Sequence, residues 1–240
     1  MIQADVLRDR IDTVIADMER QFVNVAPTFR PLIAESLGGS KTAYRELQSL
    51  GRQLLAPTID VYGLGTASLA ADWYDLNREL AKISGPWGGA VVQDPNVNTG
   101  PLIGGAMKDF VTVESVLSGI TSGLGMRVRQ SAQGTIMDST LRDPRATGWG
   151  RVASAGCCSY CAMLAGRGNV YRSQNTATFM PHTNCHCQAA PAWGGSFAPL
   201  RSREDTIATR TNLSDDQRAR QNAQARGWIE SNQATLGLVK

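Results

Sequence analysis

Aromatic side chains are scarce: 6% of the 240 residues are Phe, Trp or Tyr. A large aromatic-rich core is therefore not expected. No run of about 18 or more apolar residues occurs, so no membrane-spanning segment is expected. The opening stretch MIQADVLRDRIDTVIADMER is charged and amphipathic. It lacks the unbroken apolar core and small-residue cleavage site of a secretory signal. Charge is also modest, at +3 with a sequence pI of 8.7, which by itself argues for no nucleic-acid partner. Histidine occurs only twice, and cysteine is absent until Cys157. Without export the thiols would meet a reducing compartment, where they serve metals or redox chemistry more often than structural disulfides.

The first part of the chain reads as helical. Leu7, Ile11, Val14, Ile15, Met18 and Phe22 recur at steps of three and four, which predicts a helix over residues 3–24, broken by Pro27 and Pro31. A second helix is expected after Ser40, with Ala43, Leu47, Leu50 and Leu54 on one side and Pro57 as its end. A third is expected over 64–83, carried by Leu69, Trp73, Leu76, Leu80 and Ile83 and stopped by Gly85-Pro86. Residues 85–105, rich in Gly, Pro and Asn, read as a long loop. Phe110, Val113, Leu117, Ile120 and Leu124 predict a fourth helix, and 126–142 a fifth, ending at Asp143-Pro144.

Beyond Pro144 the helical period fades. The short apolar runs WGRVAS, NVYR and CQAAPAW fit short strands around a compact centre. From Arg201 onward the chain is polar, and Ser214 with Gln217 forms a candidate capping box for a tail helix with almost no apolar face. The expected fold class is α+β. A mainly helical region spans 1–143, a small mixed domain stapled by metal spans 144–200, and a polar helical tail spans 201–240.

The unusual feature is the distribution of soft ligands. All five cysteines and both histidines lie between Cys157 and Cys187. Cys158-x-x-Cys161 places two thiolates in one tight turn. His182-x-x-Cys185-x-Cys187 supplies a second cluster, and two such knuckles around a loop are a common way to build a tetrahedral zinc site. In a strand Cys185 and Cys187 face the same side, so both can join Cys158 and Cys161, with His182 hydrogen-bonded behind them. Alternatively His182 and one of the later cysteines complete the set. Cys157 and His186 are the expected outsiders.

Blander readings are weaker. A lone cysteine is often a small buried hydrophobe, but five clustered with both histidines fit that poorly. A thioredoxin-type CxxC opens a helix after a strand, and no such alternation precedes this one. The H-x-E of zinc deaminases and the HExxH of zincins are absent. The expected metal is a structural Zn2+, supplying folding energy that a small core lacks, and no enzymatic activity is expected. The rivals are a cytosolic zinc enzyme, with an open coordination position, and a nucleic-acid-binding zinc module.

These residues resemble a known family. Gly148-Trp149-Gly150-Arg151-Val152, the CSYCAMLAGRG run from Cys158 to Gly168, Val170-Tyr171 and His182-Thr-Asn-Cys185-His-Cys187 are similar to the Mu F-like minor capsid proteins of tailed phages, in the form found in phages of actinobacteria. YGLGTASLAADWYDLNREL, residues 62–80, resembles the helical part of that family, so the likeness covers roughly residues 55–195. The resemblance implies a low-copy structural protein of the virion interior. It would sit at the portal vertex, contact the portal or the major capsid protein, and take part in head assembly and DNA packaging or ejection. Some relatives carry a protease, but no protease constellation occurs in this chain.

Two further expectations concern partners. Arg127, Arg129, Arg145 and Arg151, with Arg142, form a basic stretch that would make weak nonspecific phosphate contacts, against the plainer expectation of a solvated surface. Trp87, Leu102, Ile103, Trp228, Ile229 and Leu236 lie in segments read as irregular, and are expected to dock on a partner.

Overall fold

The structure of the chain, a computed structural model, describes residues 4–153, 164–166, 168, 171 and 186–194. The apolar period of the first segment continues well past its prolines. Helix α1 runs Ala4–Leu37 and contains both Pro27 and Pro31. Each proline removes one backbone donor, and a helix tolerates this where the freed carbonyl can reach water. Both prolines are exposed. Phe22, Phe29 and Ile33 on the other side are buried and hold the helix to the core. The expected break at Pro27 is thus overruled by burial on the opposite face.

The same correction applies to α2, Lys41–Leu80, which contains Pro57 and fuses the second and third expected helices. Its start is as expected: Ser40 accepts a hydrogen bond from the Ala43 amide at 3.2 Å. Its packing face is not the one expected. Leu76 and Leu80 are 43% and 50% exposed. The buried face is Ala67, Ala70, Ala71, Tyr74, Asn77 and Arg78, with Trp73 at its edge. Small side chains let α2 approach α4 closely, and Thr66 Oγ1 donates to Val128 O at 2.8 Å across the contact.

An 18-residue window of α2 is apolar enough, by length and composition, to cross a membrane. A search for unbroken apolar runs misses it. In the fold Leu55, Ile59, Ala67 and Ala70 of this helix are fully buried against the rest of the bundle.

The expected loop over 85–105 ends early. Helix α3, Gly100–Asp109, begins inside it with Pro101 in its first turn. Phe110 closes α3 rather than opening the next helix. Helix α4, Val113–Arg142, merges the fourth and fifth expected helices, and a capping box between Thr112 and Ser115 starts it. It packs on α1, α2 and α3 and ends against the sheet. From Val128 to Thr140 almost every position is buried. A helix covered on all sides shows little amphipathic period, which hides its continuity in the sequence.

The remaining extended stretch is a strap laid along α4. Val91 N donates to Ser139 Oγ at 3.0 Å, Gln93 N to Thr135 Oγ1 at 3.0 Å, and Arg127 Nη1 to Asn96 O at 2.9 Å. Residues 127, 135 and 139 are separated by multiples of four and share a face. Gly63 of α2 makes room for the strap, since a Cβ there would lie 2.7 Å from Pro95 Cγ.

After α4, strand β1 (Gly148–Val152) pairs antiparallel with β2 (Gln188–Ala192), with Gly148 opposite Ala192 and Val152 opposite Gln188. Tyr171 bridges to Trp149, and their rings stack at 4.5 Å. Two of the expected strand segments therefore pair as strands, and of the third only Tyr171 is described, at a single bridge. The described fold is mainly helical with one small sheet, α+β in the broad sense. The expected tail, including the Ser214 and Gln217 capping box, lies outside the described residues.

Candidate metal centre and its anchor on the helices

Of the five candidate ligands, Cys158, Cys161, His182 and Cys185 lie outside the described residues. Cys187 is described. It stands immediately before β2, is 1% exposed and joins the hydrophobic core. His186 points elsewhere: its side chain is half exposed, and Nδ1 lies 2.9 Å from Asp12 Oδ2 on α1. Cys187 faces inward and its neighbour His186 outward, the alternation of an extended chain. Among the described residues no three metal-type side chains come together.

Two anchors hold this end of the window to the bundle. Asp12 accepts from buried Arg129 of α4 through Oδ1 and faces His186 through Oδ2. Next to it, Gln188 and Gln133 exchange reciprocal amide hydrogen bonds at 3.0 and 3.2 Å, both side chains fully buried. Gln133 Oε1 also accepts from the Ala189 amide. A buried amide pair is stable only when its donors and acceptors are matched, so β2 has one register against α4. Residues 186 and 188 are thus pinned on either side of Cys187. Asp12, Gln133 and Gln188 carry no ligand-type spacing, and nothing in the sequence singles them out.

The start of the small sheet is tied down at Asp143. This carboxylate is fully buried. It accepts from Arg78 Nε at 2.9 Å, Trp193 Nε1 at 2.8 Å, Tyr74 OH at 3.2 Å and the Arg145 amide at 3.0 Å. Burial alone would raise its pKa. The hydrogen bonds from Arg78, the Arg145 amide and Trp193, with the Arg78 charge, outweigh burial and hold it below the ordinary carboxylate value. Burial, followed by the Asp143 charge, pushes the Tyr74 phenol up, so Tyr74 remains a donor. Asp143 had drawn attention only as the end of a helix.

The four arginines read as a basic stretch are not equivalent. Arg129 is buried and paired with Asp12. Arg127 is partly buried and holds the strap. Arg151 is buried in β1. Arg145 is exposed. Three of the proposed docking anchors pack within this chain. Leu102 and Ile103 are buried, Ile103 over Gly51 of α2. Trp87 packs on Tyr74 at 5.5 Å, lies under the Arg78 guanidinium, and donates to Asp75 at 2.7 Å. Leu102 and Ile103 belong to the core of this chain and Trp87, partly buried, packs against it, which corrects the expectation that these three await a partner. Trp228, Ile229 and Leu236 lie outside the described residues.

The described architecture is a long-helix bundle with a two-stranded sheet, into which His186 and Cys187 lead. Comparison with known proteins places it: the model of the VG15 protein family matches residues 5–210, bundle, sheet and cysteine window together. The chain belongs to that family, a family of viral gene products. No curated protein and no solved structure matches it.

Proposed function

We propose that this viral protein is a minor capsid protein of a tailed phage, a structural component of the head interior near the portal. It acts there in head assembly and in DNA packaging or ejection, through contacts with the portal or the major capsid protein. The observation that carries the reading is the paired CxxC and HxxCxC window, with Cys187 buried and clamped by its neighbours, in a chain of a viral family. Cys158, Cys161, Cys185 and Cys187, or a set in which His182 replaces one of them, would hold a single structural zinc. Zinc there would supply cross-linking of two knuckles across a sheet with few large apolar side chains. The role is structural rather than enzymatic.

The test is mass spectrometry of purified particles from infected cells. The polypeptide is expected in mature heads, at a few copies per particle. Its absence from both immature and mature heads would overturn the virion role.

A further inference from the structure

Where α2 meets the sheet, an open concavity of about 230 Å³ is lined by Lys82, Ile83, Ser84, Arg145 and Trp193. Its two cations are exposed and have no acidic partner among the described residues, in contrast to buried Arg78 and Arg129. The acid beneath them, Asp143, is fully buried and already paired with Arg78. Glu79, exposed on the last turn of α2, pairs with neither cation among the described residues.

The backbone builds this mouth at a cost. Lys82 is the one non-glycine residue with positive φ among the described residues, at 54°. Such a conformation is strained for a side chain with a Cβ, and persists where the surroundings enforce it. Here they do: Ile83 N donates to Arg78 O, and Arg78 Nη1 donates to Ile83 O at 3.1 Å. Gly85 has φ 113°, and a Cβ at that residue would lie 2.9 Å from Arg145 Nε. The absent side chain is where the guanidinium rests. Ser84, between them, has a hydroxyl with no hydrogen bond among the described residues.

We propose that this concavity is a phosphate-binding site, with Arg145, Lys82 and the Ser84 hydroxyl as its donors. A planar guanidinium fork beside an ammonium point charge is the donor set that matches phosphate oxygens. The mouth is open to solvent, so the phosphate can be carried on a polymer. The ligand class is the phosphodiester backbone of nucleic acid, contacted without regard to sequence. The site stands on its geometry and does not depend on the virion role.

The experiment titrates the full chain, labelled for NMR, with a short DNA duplex and separately with inorganic phosphate at low salt. With duplex, the amide signals of Lys82, Ser84 and Arg145 are expected to shift. The slope of log K against log salt should fall by about 1 in each of Lys82→Ala and Arg145→Ala. Arg127→Ala, on the strap, should leave the slope unchanged. Shifts with inorganic phosphate but none with duplex would keep the phosphate site and assign it to a small ligand. If neither probe moves these signals, or both variants keep the full slope, the proposal is overturned.

Discussion

Asp143→Asn tests the joint between helices and sheet. The substitution keeps the shape of the side chain and leaves an acceptor for Trp193 and the Arg145 amide, but it removes the charge facing Arg78. Arg78 is 8% exposed and Asp143 not at all, so water cannot replace the lost partner. Leaving one member of a buried pair uncompensated costs about 3–5 kcal/mol. For a chain of this size that is roughly 6–20 °C in melting temperature. The variant is to be melted by far-UV circular dichroism, with near-UV signal reporting the edge-on contact of the Tyr74 and Trp193 rings, 5.4 Å between centroids. Arg78→Met combined with Asp143→Asn should recover a good part of the loss, because the stranded charge is gone. The pH profile adds a second reading. The Asp143 pKa is lowered in the fold, so its stabilisation is full above the unfolded value near about 4 and fades as pH falls through the folded one. Asp143→Asn should lack that part of the acid decline. A single-variant loss below about 1 kcal/mol, with no recovery in the double variant, would refute a pair that needs both charges.

Four other outcomes are expected. Gly63→Ala presses a methyl group on the rigid Pro95 ring and should cost about 1–3 kcal/mol by denaturant unfolding. Gly65→Ala, in the same helix with nothing within 4 Å, should instead gain up to about 1 kcal/mol. Purified chain should carry about one equivalent of zinc by metal analysis; chelation or Cys187→Ser should remove it and lower the melting temperature, whereas a metal-free chain melting no lower than untreated protein would end the zinc reading. Asp12→Ala strands Arg129 in a buried position and should destabilise by a few kcal/mol, about 3–5 if no new partner forms; an unchanged melting curve together with an unmoved His186 ring signal would show that this clamp is unimportant.

Local patterning in the sequence was enough to place helices in the first part of the chain, to start one after Ser40, to end one at Arg142, and to mark the two short apolar runs that pair as β1 and β2. It was also enough to single out the cysteine window, because ligand spacing is a property of a few adjacent residues. What it could not decide was which helices are continuous. Pro27, Pro31 and Pro57 are breakers by themselves, and only burial of the opposite faces, through Phe29, Ile33, Leu55 and Ile59, carries the helices through them. Nor could periodicity choose the inner face of α2, since close packing on α4 selects alanines while Leu76 and Leu80 stay outside. The pairings of Asp12 with Arg129 and His186, of Gln133 with Gln188, and of Arg78 with Asp143 join residues 50 or more positions apart. Such partners share no local signal. Their charges and amides are polar anywhere in the sequence; only tertiary packing brings them together, and it excludes water around Gln133, Gln188, Arg78 and Asp143.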